Sequence, residues 1–281
     1  MALEAHWIAL LLLAAAIHAG WNALNKSSRD PLLSMMTLTA SGGVAAACFL
    51  PFLPLPDPAA WPWLAASVVL HLVYQLSLVN AYRLGDLSQV YPIARGAAPL
   101  GVACLAALSA GEVPSPRSGL GLAIAAGSIM SLAIVGRRGS APSHAVFAAL
   151  QTALLISLYT VVDAHGVRST TVGYSYIAWM CFLDSIPIVC VAMLRRRGQV
   201  LAFLRSDGPR NIAGGLLATL GYSIVMAAMA HGAMAAVAAL RESSVIFAAL
   251  IGTRILGEPF GGLRSLASLA LACGLVLMQT G

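Results

Sequence analysis

Two arginines recur at the same position of two matching segments. Residues 95–112 (RGAAPLGVACLAALSAGE) align without a gap with residues 241–258 (RESSVIFAALIGTRILGE), and each copy begins with an arginine and ends on Gly-Glu. At a rise of 1.5 Å per residue, Arg95 and Arg241 lie roughly 12 Å into their apolar spans, near a membrane midplane. A guanidinium binds a carboxylate, phosphate or phosphonate bidentately, so the pair predicts an anion site. The alternative is that each arginine ties helices together through carbonyl groups or an acid.

Hydrogen-bonding side chains within other apolar spans complete a predicted pocket for a small polar organic molecule. His71, Tyr74 and Gln75 are three and four residues apart, so they share one face of a helix. Two further pairs, each with four-residue spacing, lie in the first and the sixth span. The predicted substrate-binding residues are Arg95, Arg241, His18, Trp21, Asn22, His71, Tyr74, Gln75, Tyr82, Tyr91, Tyr159 and Ser244.

Four ionisable side chains are candidates for proton coupling: His18, Asp163, Asp184 and Glu242. The imidazole of His18 has an unperturbed pKa of about 6.5, which suits proton transfer near neutral pH. A charge within a membrane costs at least about 2.5–3.5 kcal/mol, so the acids are functional candidates by default. Three of the four also have a structural interpretation. His18 would be a packing residue, Asp163 a solvated cap at the predicted end of its span, and Glu242 the counter-charge of Arg241.

Some polar and aromatic residues have structural interpretations. Gly111-Glu112 and Gly257-Glu258 end their spans, where glycine is the usual residue just past a helix. Tyr174 and Tyr176 are better explained as aromatics of the membrane interface.

The composition predicts an all-α membrane protein. Hydrophobic residues make up 59% of the chain and charged residues 9%, and the mean hydropathy is +0.86. Soluble chains carry about 25% charged residues. Apolar runs of about 20 residues recur along the chain, each long enough to cross a membrane as a helix. Alternating strand periodicity is absent, which argues against a β-barrel.

Ten spans are predicted, as two inverted five-helix repeats around a central cavity. The first repeat covers residues 1–138, a linker covers 139–143, and the second repeat covers 144–281. An odd number of helices per copy inserts the second copy upside down. The spans are 5–24, 32–53, 61–82, 87–109, 117–135, 144–163, 173–194, 211–230, 233–256 and 262–279.

The charges record topology rather than a nucleic-acid partner. The net charge of +6 comes largely from one basic loop around Arg195, Arg196 and Arg197. Basic residues concentrate in the odd-numbered loops, which places those loops in the cytoplasm and both termini outside. The five cysteines lie within apolar spans without CxxC spacing, as small buried hydrophobes. Nucleotide, hydrolase and metal motifs are absent, so no catalytic residue, metal or cofactor is expected and the chain is not predicted to be an enzyme.

Three segments carry a family resemblance: HAGWN at 18–22, YRLGDLSQVYPIARG at 82–96, and ALRESSVIFAALIGTRILGE at 239–258. With the ten spans, they resemble the drug/metabolite transporter superfamily, specifically its EamA-type ten-helix members. The resemblance implies an inner-membrane secondary transporter, usually an exporter of amino acids or other small metabolites. It implies a central cavity lined by spans 1, 3, 4, 6, 8 and 9, and cytoplasmic termini, opposite to the loop charges. Some similar sequences are associated with phosphonate use.

The predicted function is secondary active transport, by alternating access, of a small anionic or zwitterionic metabolite such as an amino acid or aminophosphonate. Export linked to protons or another gradient is expected, from the bacterial inner (cytoplasmic) membrane. The expected partners are the small-molecule substrate and membrane lipid, without nucleic acid, for a monomer or homodimer. Two alternatives stay open: a multidrug exporter of lipophilic cations, which needs an acid not paired with arginine, and a lipid-phosphate flippase or non-transporting membrane binding partner.

Overall fold

The described part of the chain is built from helices. The computed structural model describes residues 3–25, 30–84, 87–135, 143–247 and 262–280, and no strand occurs among them. The helices are α1 (Ala5–Asn25), α2 (Pro31–Phe49), α3 (Trp61–Leu84), α4 (Leu87–Ala110), α5 (Pro116–Val135), α6 (Ser143–Arg168), α7 (Gly173–Arg196), α8 (Val200–Ser206), α9 (Gly208–His231), α10 (Met234–Arg241) and α11 (Gly262–Gln279).

Six of the described helices are long and apolar enough to cross a membrane, which indicates a multi-pass membrane protein. They include α2, α3, α4, α6, α7 and α9, and shorter apolar stretches lie at Ala5–Gly20 within α1 and at Leu266–Gln279 within α11. Large apolar side chains cover the outside of the bundle, and Leu108 and Leu194 are 85% and 86% exposed. The expectation of buried cysteines is wrong for four of the five, which are exposed on this outer surface: Cys48, Cys104, Cys190 and Cys273.

The helix ends agree closely with the predicted spans, with two informative differences. The sixth span was predicted to end at residue 163, but α6 continues to Arg168. The ninth span was predicted as one helix over 233–256, but α10 ends at Arg241 and a turn at residues 242–243 follows. The short helix α8 was not predicted, because its basic neighbours indicated a loop. The first two differences place two acidic residues, Asp163 and Glu242, in the interior of the bundle.

Helices of the two halves pack in matching pairs. Helix α1 packs on α9, and α6 packs on α3; α2 packs on α9, and α7 packs on α3. Helix α2 also packs on α7, α4 on α10, and α5 on α11. Helices α1 to α5 can be matched in order with α6, α7, α9, α10 and α11. Under this matching, each of the contacts above corresponds either to another contact in the set or to itself.

Small residues allow the closest of these contacts. A Cβ on Gly121 of α5 would lie 2.6 Å from the carbonyl oxygen of Gly274 on α11, and a Cβ on Gly274 would lie 2.7 Å from the carbonyl oxygen of Gly121. Both distances are too short for any side chain to fit without moving a backbone. Glycine at these positions therefore lets the two helices approach closely within lipid.

Glu112, two residues after the end of α4, ties helices together at one end of the bundle. Its carboxylate accepts a hydrogen bond from the backbone N–H of Met234 (2.7 Å) and pairs with Arg168 Nη1 (2.5 Å). A carboxylate at the start of α10 satisfies a free helical N–H and interacts favourably with the helix dipole. Gly111 has a φ of +66°, the left-handed conformation that glycine adopts after a helix. Gly111-Glu112 is therefore a structural cap that also joins α4, α6 and α10.

A second tie joins α2 to the end of α7. Asp30 accepts hydrogen bonds from the backbone N–H groups of Leu32 and Leu33, and its carboxylate lies 3.0 Å from Arg196 Nε. Partial burial raises the pKa of Asp30, but the hydrogen bonds from Arg196, Leu33 and Leu32 outweigh burial, so the pKa lies below its ordinary value. The folded protein therefore holds this carboxylate ionised more strongly than the unfolded chain does.

Acid should weaken this tie in a way that Asp30→Asn removes. Because the folded pKa is the lower one, Asp30 contributes stability above about pH 4, and this contribution is lost as the pH falls through the folded value. We expect the melting temperature of the purified protein to fall less between neutral and acidic pH in Asp30→Asn than in the wild type. Asparagine still caps α2, so the difference reports the ionised carboxylate. Identical pH profiles would contradict the assignment.

Candidate functional site

The interruption after α10 places the second repeated arginine beside an acid. The N–H of Glu242 donates to the carbonyl of Ala239, and that of Ser243 to the carbonyl of Leu240, three residues back instead of four. Val245 and Ile246 continue this tighter pattern. A tighter turn inside an otherwise helical segment frees backbone groups and re-aims side chains. Interrupted helices of this kind form ion and substrate sites in secondary transporters.

Both repeated arginines converge on the same carboxylate. Arg95 Nε on α4 lies 2.8 Å from Glu242 Oε2, and Arg241 Nε lies 3.6 Å from Glu242 Oε1. The exposed fractions are 5% for each arginine and 1% for Glu242. Regular helix geometry separates neighbouring side chains by about 100°, so Arg241 and Glu242 need not pair, although Glu242 as the counter-charge of Arg241 was one of the two interpretations left open. The tight turn at residues 242–243 brings them together.

This Arg95–Glu242–Arg241 triad lies among other polar groups. The charges of Arg95 and Arg241 both act on His18 of α1, which is half-buried. The hydroxyls of Ser243 and Ser244 are buried and have no hydrogen-bond partner among the described residues. The Glu242 oxygens likewise accept no aligned hydrogen bond from those residues, although the ion pairs hold them. The triad is thus a buried polar site with unused hydrogen-bonding capacity.

Two tyrosines connect the triad to a second polar cluster. Tyr159 of α6 and Tyr222 of α9 both interact electrostatically with Arg241. Their ring centroids are 6.3 Å apart. On the far side, the Tyr222 hydroxyl donates a 2.6 Å hydrogen bond to Asp163 Oδ2. The rings of Tyr159 and His71 are in contact, with centroids 4.3 Å apart.

The second cluster joins α3, α6 and α7. His71 Nε2 lies 3.8 Å from Asp163 Oδ2, while His71 Nδ1 lies 3.2 Å from the Ser67 hydroxyl one turn earlier. Gln75 Nε2 donates to both carboxylate oxygens of Asp184, at 3.3 and 3.1 Å. We call the continuous set the polar seam; its members are Arg95, Glu242, Arg241, Tyr159, Tyr222, Asp163, His71, Gln75 and Asp184.

The structure brings many of the predicted residues together. The seam includes five of the predicted substrate-binding residues, and Tyr74 contacts it through Tyr159, with ring centroids 5.1 Å apart. Ser244 lies beside the triad. The side chains of Trp21, Asn22, Tyr82 and Tyr91 lie outside the described part of the structure. The five predicted substrate-binding residues that the seam includes are Arg95, Arg241, Tyr159, His71 and Gln75. His18 lies outside the seam but within electrostatic range of Arg95 and Arg241.

Two interpretations of individual residues are wrong. For Asp163, a proton-coupling candidate, the alternative interpretation as a solvated cap at a span end is wrong, because α6 continues past it to Arg168 and the side chain is 0% exposed. Tyr176 was read as an interfacial aromatic, but its ring is fully buried among α3, α6 and α7 residues, whereas Tyr174 is exposed. Both errors arose because polar residues near these span ends were taken to indicate exposure to water at the membrane interface.

Sequence reasoning missed Tyr222 and Ser67. Tyr222 is the one Phe, Tyr or Trp residue within Gly208–His231, which is otherwise small and aliphatic, and that isolation was a usable signal. Ser67 precedes His71 by four residues and so lies on the same helix face. A serine within an apolar helix usually bonds to its own backbone, so its spacing alone indicated nothing.

An open cavity lies away from the polar seam. Its volume is about 560 Å³, and it lies where the residues after α4 meet the start of α10 and the end of α11. Glu112, Ser118 and Met278 are among the lining residues, and Arg95 and Arg241 are not. Around the arginines, Glu242 lies between the two guanidiniums and all three side chains are buried, and the central cavity stays a prediction.

Comparison with known proteins gives a fold and no activity. No protein-family model matches the chain. A Pseudomonas aeruginosa protein named "Uncharacterized protein PA1977" is 26% identical over 279 residues, which cover 96% of this chain and 93% of that protein. A solved structure described as "Crystal structure of protein" is 17% identical, covers 96% of this chain and 94% of that chain, and superposes with a TM-score of 0.71. At that identity the likeness shows the fold alone.

Proposed function

We propose that the protein is a secondary transporter of a small anionic or zwitterionic metabolite, of the drug/metabolite transporter type that its sequence resembles. The observation that carries the proposal is the convergence of Arg95 and Arg241, one from each matching segment, on the single carboxylate of Glu242. Charged groups buried in a membrane protein are costly and mark substrate or ion pathways. No catalytic constellation or cofactor is part of the proposal.

The proposed architecture is ten membrane helices in two inverted halves, in a bacterial inner membrane. It is supported by the matching helix contacts between the halves, by the gapless repeat of the arginine segments, and by the interrupted helix at Arg241. Inverted repeats with a site at discontinuous helices are the common plan of secondary transporters. Alternating access then follows from rocking one half against the other.

Charge arithmetic defines the substrate class. Two guanidinium charges and one carboxylate leave the triad with a net charge of +1. A substrate carboxylate, phosphate or phosphonate entering this site competes with Glu242 for the same two guanidiniums. Glu242 therefore occupies the position of the substrate anion in the closed state, and is released toward an ammonium group or solvent when substrate binds.

A lipophilic-cation exporter is the second candidate, and Asp163 and Asp184 favour it. Both acids are buried, neither forms an ion pair with arginine among the described residues, and aromatic rings lie beside Asp163. Such acids hold lipophilic cations by charge and by cation–π contact. The same transport experiment distinguishes the two candidates.

The test is uptake into proteoliposomes that contain the purified full-length protein. We expect labelled L-alanine, L-glutamate or 2-aminoethylphosphonate to be transported and lipophilic cations such as tetraphenylphosphonium to be excluded. Arg95→Ala should reduce uptake of the anionic substrate at least about tenfold, since one charge-assisted pair contributes on the order of 1.5–3 kcal/mol. The matched control is Arg196→Ala, which removes an arginine from a peripheral ion pair.

Equal transport by Arg95→Ala and the wild type would contradict the anion site. Transport of tetraphenylphosphonium alone, lost in Asp184→Asn and retained in Arg95→Ala, would establish the second candidate instead.

A further inference from the structure

The second cluster of the polar seam contains more acidic groups than basic ones, and the triad does not account for this excess. It contains an imidazole and two carboxyl groups, His71, Asp163 and Asp184, on three different helices. Asp163 is completely buried and Asp184 nearly so. An ionised carboxylate in such surroundings is tolerated only with a counter-charge or several hydrogen bonds. The single imidazole can neutralise at most one of the two carboxylates.

The geometry points to a proton-binding site at His71, Asp163 and Asp184 that is distinct from the arginine triad and drives transport. Two protons on the three groups make the cluster neutral, and because only one can reside on the imidazole as a positive charge, at least one carboxyl group is protonated. The inference rests on the proposed transport function for its role, and on the structure alone for the site.

Unused hydrogen-bonding atoms mark where the protons reside. Asp163 Oδ1 and Gln75 Oε1 are buried and have no hydrogen-bond partner among the described residues. A protonated carboxyl group or an imidazolium supplies a donor that an ionised acid lacks. Since Asp163 Oδ2 already accepts from Tyr222, its Oδ1 is the atom free to carry a proton.

The neighbouring groups explain how the cluster can lose a proton and still hold the remaining negative charge in the interior. Charged and titratable groups face it from each adjoining helix: Tyr159 from α6, Tyr176 and Cys181 from α7, Tyr222 from α9 and Arg241 from α10. When one proton leaves, the remaining negative charge is held by the Tyr222 hydroxyl and by the field of Arg241.

Tyr222 and Tyr159 also couple the two sites. A substrate anion that displaces Glu242 changes the charge beside Arg241, and the same arginine acts on Asp163. Both sites interact with Arg241, so occupation of one site alters the affinity of the other. This coupling is reciprocal. A proton and a substrate can thus be exchanged across the membrane in a linked cycle.

The experiment is infrared spectroscopy of the full-length protein in liposomes, without substrate. We expect the carbonyl absorption of an un-ionised carboxyl group at neutral pH, and loss of this absorption in Asp163→Asn and in Asp184→Asn. In each variant one proton suffices for neutrality, and the imidazole–carboxylate pair holds it. The matched control is Glu112→Gln, at the membrane end, which should retain the absorption.

Every outcome decides the inference. Absence of the absorption in the wild type, or its persistence in either aspartate variant, would overturn the shared site. The two aspartate positions test the same site independently, so failure of one variant to fold leaves the other informative. Because no substrate is present, this result stands apart from the uptake assay: the absorption with its loss in both variants, but without uptake, would retain the proton site and reject the transporter.

Discussion

Glu242→Gln should destabilise the protein strongly in the absence of anions and should make its stability respond to added anions. The change removes the carboxylate that lies 2.8 Å from Arg95 Nε and 3.6 Å from Arg241 Nε, and it leaves the side-chain volume almost unchanged. Breaking a buried ion pair from one side costs about 3–5 kcal/mol, because the remaining charge stays buried without compensation. Here two guanidiniums lose the same carboxylate, so we expect a loss at the upper end of that range.

The diagnostic readout is the rescue by an external anion. An anion that binds the folded state raises its stability by RT ln(1 + [L]/Kd). Inorganic phosphate or acetate should therefore raise the melting temperature of Glu242→Gln well above its value at low ionic strength, and should change that of the wild type little. In the wild type the same site is already occupied by Glu242.

The matched control is Glu112→Gln, which also removes a carboxylate from an arginine pair. Glu112 and Arg168 keep 23% and 27% of their side chains exposed, so water replaces the lost partner. We expect at most about 1 kcal/mol of destabilisation from the lost ion pair, and no anion rescue. A Glu242→Gln protein as stable as the wild type and indifferent to phosphate would mean that the triad is not an anion site.

The sequence was sufficient to locate the arginine pair and the helices. The lengths of the apolar runs and the arginine repeat can be recognised from local sequence patterns alone. Arg95 and Arg241 lie together in the interior, as predicted. The same local regularity hid the role of Glu242. Pairing of Glu242 with Arg241 was one of two interpretations left open, whereas its contact with Arg95 was not predicted and follows a tight turn at residues 242–243.

The second cluster depends on contacts that only the assembled bundle shows. The sixth span was predicted to end at Asp163, but α6 continues through His165 and Arg168, whose polar atoms bond to Ser109 and to the carbonyl oxygen of Met229. Tyr222 lies 59 positions from Asp163 in the sequence, and no spacing rule connects them. Local patterns predict helices and their faces, whereas the pairing of faces across the bundle is a tertiary property.

Asp163→Asn should uncouple transport from the pH gradient while leaving exchange intact. In the wild type, a gradient of one pH unit can drive about tenfold accumulation for each coupled proton, because one pH unit corresponds to about 1.4 kcal/mol. The variant cannot bind the proton at Asp163 Oδ1, an atom that has no hydrogen-bond partner within the described part of the chain. Accumulation of labelled L-alanine or 2-aminoethylphosphonate should therefore fall to the equilibrium level. Exchange of labelled for unlabelled substrate at equal pH should continue, because the triad is unchanged.

The control for this experiment is Asp30→Asn, the same chemical change in an aspartate at the N-terminus of α2. It should keep both gradient-driven accumulation and exchange. Tyr222→Phe removes only the hydrogen bond to Asp163, and we expect it to shift the pH dependence of accumulation without abolishing it. Full gradient-driven accumulation by Asp163→Asn would refute proton coupling at this cluster. Loss of exchange as well, with normal stability, would instead place Asp163 in the substrate site and end its assignment as a separate proton site.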